Sequence, residues 1–317
     1  MAEKKVIAVL GATGAQGGGL MRAILADRGG EFAARAITRR PDSDKARALA
    51  DAGAEVVAGD LDDVESLRKA FAGAQGLFAV TNYWELFDPA RETQQAKNIA
   101  RAAKDAGVKH VVWSTFEDPR DRVPLDDDRM PTLMGRHKVP HFESKAEANR
   151  TFEELGVPTT YLLTSFYWDN FIHFGLGPAR GADGKLAITM PLGDAKMPGI
   201  AAADIGPCVL GIFKRGSEMI GKTIGIAGEH VSGAEMAAGI SKIAGEEVRY
   251  NAVDPDVYRG FGFPGAEDMG NMFQFKRDFE DDYRRARSVE ETRKLHPGLM
   301  NFGQWLAQYG KRIPIGS

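Results

Sequence analysis

The chain opens with a short apolar run that passes abruptly into glycine. Residues 6–19 read VIAVLGATGAQGGG: five apolar residues precede Gly11, Gly14 and Gly17, and an amphipathic stretch begins at Leu20. The apolar run predicts a buried strand, and glycine permits a tight turn before a helix. At a helix start, unpaired amides can also receive an anion. The pattern therefore predicts strand, turn and helix, and leaves the turn open as a plain connection or an anion site.

The same alternation of short apolar runs and helical patterns continues to about residue 164. Strands separated by helices predict parallel pairing, right-handed crossovers and helices on both faces of the sheet. We therefore expect an α/β fold, a doubly wound parallel sheet of the Rossmann type. The predicted strands are Val6–Leu10, Ala34–Thr38, Glu55–Ala58, Gly76–Val80, His110–Ser114 and Thr159–Leu163.

After residue 164 glycine and proline become denser and the regular alternation ends. We expect residues 1–164 to form the nucleotide-binding domain and residues 165–317 a smaller mixed α/β lobe, closely packed, with some exchange of chain between them. The smaller lobe is predicted to contain helices over 201–214 and 233–243 and short strands near 223–226 and 248–251. Residues 117–139 lack periodicity, and loops of this length are often functional or mobile.

Composition excludes several classes of protein. The net charge of −3 gives no reason to expect direct nucleic-acid binding. Cys208 is the only cysteine, so an intrachain disulfide and a thiolate metal cluster are excluded, and a reducing, cytoplasmic setting fits. Gly11 ends the first apolar run too early for a signal peptide, and we expect neither a membrane span nor a metal site.

The end of the second predicted strand indicates the type of dinucleotide. In a strand, glycine turn and helix unit, an acidic residue at this point holds the ribose 2′-hydroxyl of NAD, whereas arginine accommodates the 2′-phosphate of NADP. This chain has Arg39 and Arg40 here and no carboxylate before Asp42. A guanidinium suits a phosphate, so NADP is favoured over NAD. Solvated surface arginines are the alternative interpretation.

Two other strand ends carry polar residues on the same predicted edge. Asp60 follows the third strand and can accept a hydrogen bond from adenine, or cap the helix that begins near Val64. Thr81, Asn82 and Tyr83 follow the fourth strand. They can line the path from ribose to nicotinamide, or Tyr83 can simply pack beneath the second lobe.

Taken together, these motifs resemble the NmrA-like branch of the atypical short-chain dehydrogenases/reductases. The resemblance covers nearly the whole chain and is strongest to the NADPH-sensing redox-sensor proteins of that branch. The motifs that carry it are GATGAQGG, TRRP, GDLDD, VTNYWE, HFESKAE, SFYWDN, GFPGAEDMGNMFQF and WLAQ.

The resemblance implies a set of cofactor contacts in this chain, to which the glycine spacing adds Gly17. The set comprises Gly11, Ala12, Thr13, Gly14, Ala15, Gln16, Arg39, Arg40, Pro41, Asp42, Ser43, Asp60, Leu61, Thr81, Asn82, Tyr83, Lys145, Tyr167, Trp168, Asp169 and Asn170.

The resemblance also implies where chemistry would occur. Dehydrogenases of the wider superfamily use a tyrosine as proton donor and a lysine four residues later on the same helix face. Here Lys145 is in register, but His141 occupies the tyrosine position. Ser114 matches the hydroxyl that orients a carbonyl. His141 can donate a proton near neutral pH, or it can be a lining residue of the cleft.

Two functions remain open on the sequence alone. The first is an NADP(H)-responsive regulator with little or no dehydrogenase activity, whose partner is a regulatory protein. The second is an NADPH-dependent reductase of a quinone, enone or other small carbonyl substrate. A homodimer is compatible with both.

Overall fold

The computed structural model describes residues 4–316. Its strands are β1 (Lys5–Val9), β2 (Phe32–Thr38), β3 (Glu55–Ala58), β4 (Gly76–Ala79), β5 (His110–Thr115), β6 (Thr159–Leu163), β7 (Phe166–Tyr167), β8 (Ala179–Arg180), β9 (Leu186–Met190), β10 (Lys196–Ile200), β11 (Thr223–Gly225), β12 (Glu229–Ser232) and β13 (Val248–Ala252). Its α-helices are α1 (Ala15–Ala26), α2 (Asp44–Asp51), α3 (Val64–Phe71), α4 (Tyr83–Leu86), α5 (Pro89–Asp105), α6 (Pro140–Glu154), α7 (Asn170–His173), α8 (Ala202–Arg215), α9 (Gly233–Ala244), α10 (Pro255–Arg259), α11 (Ala266–Asp278), α12 (Glu280–Arg285), α13 (Val289–Leu295) and α14 (Phe302–Tyr309).

These elements divide between two compact units that each draw on separate stretches of chain. Of the described residues, the first unit contains 4–118, 141–164 and 203–224. The second contains 119–140, 165–202 and 225–316. The chain therefore passes several times from one unit to the other.

The first unit is built on a seven-stranded sheet in the order β11-β6-β5-β4-β1-β2-β3. The neighbouring pairs from β6 to β3 are parallel, as in the alignment of Val9 with Ala36. On one side of this sheet, Trp113 stacks on Phe152 at 5.3 Å between ring centroids within a continuous apolar core. The predicted doubly wound fold is confirmed, and the predicted strand ends are correct to within two residues.

Two elements expected in the smaller lobe lie in the first unit instead. The strand predicted near 223–226 is β11, at the edge of the central sheet beside β6, where the Tyr161 amide donates to the Lys222 carbonyl at 2.9 Å. The helix predicted over 201–214 is α8, which packs against α1 at Gly206. A three-residue strand carries too little side-chain pattern to reveal which sheet its backbone joins.

The second unit contains two small sheets, β12-β10-β7 and β13-β9-β8. Its core includes Trp168, which is fully buried and lies 5.4 Å from Phe302 and 6.1 Å from Trp305 between ring centroids. Because aromatic rings bury large apolar areas, this cluster contributes to the stability of the unit.

The long loop over 117–139 is held in place by side chains rather than by regular structure. Asn271 on α11 donates to the carbonyls of Pro131 and Lys138 at 2.9 and 2.6 Å. Gln274, one turn later, donates to the Arg129 carbonyl at 2.6 Å. Most of the loop therefore has a defined conformation, because buried amides of α11 satisfy its backbone acceptors.

Within residues 4–316, none of the helices has the length and hydrophobicity needed to span a bilayer.

The stability of the first unit should depend on the close contact between α8 and α1 at Gly206. A Cβ at Gly206 would lie 2.0 Å from the Gly19 carbonyl carbon in α1. We expect Gly206→Ala to lower the free energy of unfolding by about 3 kcal/mol, since two helix backbones would have to separate. Urea titration checks this. Gly303→Ala in α14 is the matched control, because its nearest neighbour would lie at 3.5 Å. Equal effects of the two substitutions would contradict the packing argument.

Candidate functional site

The glycine turn joins β1 to α1 at the carboxyl edge of the central sheet. Gly11 has φ of +61°, and the Gly14 amide donates to the Gly11 carbonyl at 2.8 Å. A Cβ at Gly17 would lie 2.5 Å from the carbonyl oxygens of Leu10 and Gly11. Glycine at position 17 thus lets the first turn of α1 lie against the end of β1, which fixes where its amides point.

In the described part of the chain, the backbone amides at the amino end of α1 are not capped by a side chain. Gly14 is the N-cap residue, and among the described residues no side chain caps this helix and no acidic residue occupies its first turn. The Gln16 side-chain oxygen is buried and has no hydrogen-bond partner within residues 4–316. The Gln16 side chain could form a hydrogen bond with a bound polar group. It would accept through its oxygen, or donate through its NH₂ group if the amide were rotated by half a turn.

A small cleft lies beyond the ends of β2, β3 and β4. Arg39 at its rim pairs with Glu85 of α4, with 2.7 Å between Nη2 and Oε1, and both side chains are about half exposed. The Glu85 carboxylate raises the pKa of the Arg39 guanidinium. The lining residues are Arg39, Asp60, Leu61, Asn82, Glu85, Leu86, Arg91 and Gln95.

Two lining residues of the cleft, Arg91 and Gln95, are held by a neighbouring carboxylate. Asp62 accepts from Arg91 at 2.7 Å and from Gln95 at 3.0 Å, so it ties α5 to the loop after β3. Asp60 accepts from the Asp62 amide at 3.0 Å and stays exposed. The alternative role for Asp60 as the cap of α3 was wrong: Asp63 caps that helix, because its carboxylate reaches the amides of the first turn.

Residues after Arg39 form the approach to α2. Arg40 is exposed, and its amide donates to the Thr38 hydroxyl at 3.1 Å. Ser43 caps α2 through a hydrogen bond from the Ala46 amide at 3.3 Å. Pro41 and Asp42 are exposed between them. The predicted contacts at Arg40, Pro41, Asp42 and Ser43 therefore lie on one short segment beside the rim of the cleft.

Lys145 is held in a buried ion pair rather than exposed in a cleft. Its ammonium donates to the Thr81 carbonyl at 2.9 Å, to the Thr81 hydroxyl at 2.6 Å and to Glu92 Oε1 at 2.7 Å. The lysine side chain is 9% exposed and that of Glu92 is fully buried. Ser144 donates to the other oxygen of Glu92. Three donors of the ammonium are thus engaged by protein groups.

His141 lies one helical turn before Lys145 and is buried among aromatic rings. Its ring centroid is 4.8 Å from that of Trp84, 5.9 Å from Tyr83 and 6.0 Å from Phe116. These contacts hold α4 against α6. His141 is 4% exposed. Its surroundings are therefore those of a packed aromatic cluster, which we call the His141 cluster: Tyr83, Trp84, Phe116, His141 and Phe142.

Ser114 lies at the carboxyl end of β5, where it is buried and aligned with Leu162 of β6. The next residue, Thr115, donates to the side chain of Asn149 in α6 at 2.9 Å. The predicted catalytic residues Ser114, His141 and Lys145 are therefore all in the first unit, on β5 and α6.

The predicted contacts over 167–170 lie in the second unit. Asp169 accepts from the Ala202 amide at 2.8 Å and so caps the amino end of α8. Trp168 is fully buried; its amide donates to the Ile200 carbonyl at 3.1 Å and its carbonyl accepts from the Phe171 amide at 3.0 Å. Asn170 begins α7, and Tyr167 is half-buried at the end of β7.

Sequence reasoning missed Glu85, Arg91 and Glu92. Glu85 stands inside the quoted motif VTNYWE, and the helical spacing of Glu92 and Gln95 places both on the same side of α5. The pattern of α5 could have flagged Glu92, since a carboxylate among buried positions of an amphipathic helix requires a cationic partner.

Comparison with known proteins agrees with this architecture. The model of the NmrA-like family matches residues 3–306. FrzB, an NmrA-like family domain-containing oxidoreductase from Cladobotryum sp., is 31% identical over 289 residues, which are 85% of this chain and 83% of FrzB.

Solved structures show the same fold over nearly the whole length. NmrA, a negative transcriptional regulator, in complex with NADP is 24% identical, with a TM-score of 0.76 and coverage of 98% of this chain and 95% of NmrA. Citrobacter sp. triphenylmethane reductase complexed with NADP(H) is 24% identical, with a TM-score of 0.75 and coverage of 95% and 99%. With its fold, its glycine turn and the family match over residues 3–306, this chain belongs to the NmrA-like family.

Proposed function

We propose that this protein binds NADP(H) and acts as an NADP(H)-responsive regulator with little or no dehydrogenase activity. The observation that carries the first part is Arg39, an exposed guanidinium at the rim of a cleft beside an uncapped, glycine-rich helix start. The complexes named for NmrA and triphenylmethane reductase, which contain NADP and NADP(H), support the same cofactor for this chain.

The glycine turn fits a pyrophosphate. Gly14 is exposed, so its missing side chain leaves the backbone accessible, and the amides of the first turn carry the partial positive charge of the helix. Gln16, with its unpaired side-chain oxygen, adds a polar group beside this turn. These residues would hold the phosphates by hydrogen bonds without any side-chain charge.

The adenosine end would occupy the cleft. Arg39 would bind the 2′-phosphate through two parallel N–H donors. Asp60 would accept from the adenine amino group, and Leu61 would pack against the base, held by the hydrogen bond from Asn98 to its carbonyl at 2.8 Å. The role of Arg39 is therefore to select the phosphorylated dinucleotide.

The arrangement around Lys145 supports regulation rather than hydride transfer. A lysine that assists a proton donor must direct its ammonium at that donor and the ribose. Here Thr81 and Glu92 accept all three of the hydrogen bonds described above, and His141 is enclosed in the His141 cluster. Lys145 would have to give up a buried charged partner to reach a ribose, which is costly.

The alternative is an NADPH-dependent reductase of a quinone, enone or similar carbonyl compound. FrzB is named an oxidoreductase, and the Ser114 hydroxyl at the carboxyl end of β5 would orient the carbonyl. When bound, the nicotinamide would supply the hydride. In this chain His141 or a water molecule would supply the proton.

Cofactor selection should depend on Arg39. We expect Arg39→Ala to weaken NADPH binding by about ten-fold or more and NADH binding by less than about two-fold, because only NADPH carries the 2′-phosphate. Fluorescence titration or calorimetry measures both. Arg101→Ala on α5 is the matched control, since its side chain is 62% exposed against 64% for Arg39. Equal losses of both dinucleotides would refute the assignment of Arg39.

Turnover should separate the two functions. We expect NADPH oxidation to stay at the background rate over a panel of quinones, enones and aldehydes, with NADPH shown to be bound by titration under the same conditions. The physical reason is the engaged Lys145 ammonium. Turnover by the parent protein that Lys145→Met abolishes, while NADPH binding persists, would favour the reductase.

Regulation requires that two cofactor states differ in structure or dynamics. Hydrogen exchange of the whole chain at saturating NADPH and at saturating NADP⁺ measures this without an identified partner. We expect at least one segment outside the cleft to exchange at different rates in the two states. Superimposable exchange would remove the redox-sensing part of the proposal and leave the binding part standing.

A further inference from the structure

We propose that Glu85 is a specificity-determining residue that competes with the 2′-phosphate of NADP(H) for Arg39 and so limits the preference for NADP(H) over NAD(H). This inference rests on the proposed function, because it concerns the cleft that the adenosine end of the cofactor would occupy. The inference does not depend on the glycine turn or on the hydrogen bonds of Lys145.

The competition follows from the position of the two charges. Glu85 and Arg39 both line the cleft, and their atoms are 2.7 Å apart. The carboxylate accepts a hydrogen bond from Nη2 of Arg39, so a phosphate that binds the guanidinium through two parallel donors that include Nη2 meets the carboxylate at that nitrogen. Either the carboxylate leaves or the two anions share one guanidinium at close range, and like charges in contact are unfavourable.

The other charges of the cleft do not relieve this conflict. Arg91 also lines the cleft, but its guanidinium pairs with Asp62 at 2.7 Å. Asp60 adds a further carboxylate to the lining. Among the described lining residues, two arginines thus face two carboxylates, and Asp62, outside the lining, pairs with Arg91, so a phosphate dianion enters a site whose positive charge is already compensated.

The structure around α4 keeps Glu85 in place. This helix has one turn, and Phe87 after it adopts a left-handed conformation with φ of +50°. Tyr83 and Trp84 anchor the helix through their contacts with His141. Because the aromatic residues hold the helix against α6, its exposed carboxylate stays at the rim of the cleft where Arg39 can reach it.

NAD(H) does not compete with Glu85 for Arg39, because it lacks the 2′-phosphate. Its ribose carries a 2′-hydroxyl, which can donate to a carboxylate, as in dinucleotide sites with an acidic residue at the end of the second strand. In this chain the carboxylate is that of Glu85, which lies on α4 after the fourth strand and pairs with Arg39. The pair therefore accommodates both dinucleotides, with Arg39 favouring NADP(H) and Glu85 opposing that preference.

The test uses two probes that differ only in the 2′-phosphate, namely 2′,5′-ADP and 5′-AMP, together with NADPH and NADH. We expect Glu85→Gln in the full chain to tighten 2′,5′-ADP and NADPH by about ten-fold and to change 5′-AMP and NADH by less than about two-fold. Glu154→Gln is the matched control, because Glu154 is an exposed carboxylate paired with an arginine on α6 and lies outside the cleft lining.

A second variant tests whether Glu85 acts through Arg39. In an Arg39→Ala background the gain from Glu85→Gln should fall below about two-fold, because no guanidinium remains to be released. Unchanged or weaker binding of 2′,5′-ADP by Glu85→Gln would overturn the inference, as would an equal gain in both backgrounds. If the parent protein binds neither NADPH nor 2′,5′-ADP, the proposed function itself fails, which is a separate outcome.

Discussion

The close approach of α1 to β1 is the constraint on which the candidate site depends. At Gly17 a side chain would collide with two backbone carbonyls at 2.5 Å, so the helix begins directly on the end of the strand. This places its unpaired amides at the carboxyl edge of the sheet. The adjacent ends of β2, β3 and β4 then bring Arg39, Asp60 and Asn82 around one cleft, because parallel strands end on the same side.

A second organising interaction lies deeper, between Lys145 and Glu92. Glu92 on α5 and Lys145 on α6 pair beside the end of β4, with Thr81 bound to both. A buried pair of this kind is costly to break once formed, since either partner alone would be an uncompensated charge. It fixes two helices to the sheet and also engages the lysine that the superfamily resemblance associates with catalysis. Here structural and chemical roles compete for one ammonium.

Much of the fold was readable from the residues. The length and spacing of the apolar runs identified six strands, because each buried parallel strand appears as a short apolar run between two helices. The Arg39 argument also needed no coordinates, since chain order alone puts position 39 at the end of the second strand. By contrast, β11 and α8 were expected in the other lobe. Strand β11 has only three residues, and α8 follows a long segment of the second unit. The local sequence of neither element indicates which sheet or helix it packs against.

The sequence by itself determined the doubly wound class, the glycine turn and the presence of an arginine at the end of the second strand. It did so because these depend on local spacing and on the order of elements. Only the tertiary structure decided which charges meet: Glu85 with Arg39, Asp62 with Arg91 and Glu92 with Lys145. These pairs join residues 29 to 53 positions apart. Ion pairing depends on distances of a few ångströms, which sequence separation does not encode.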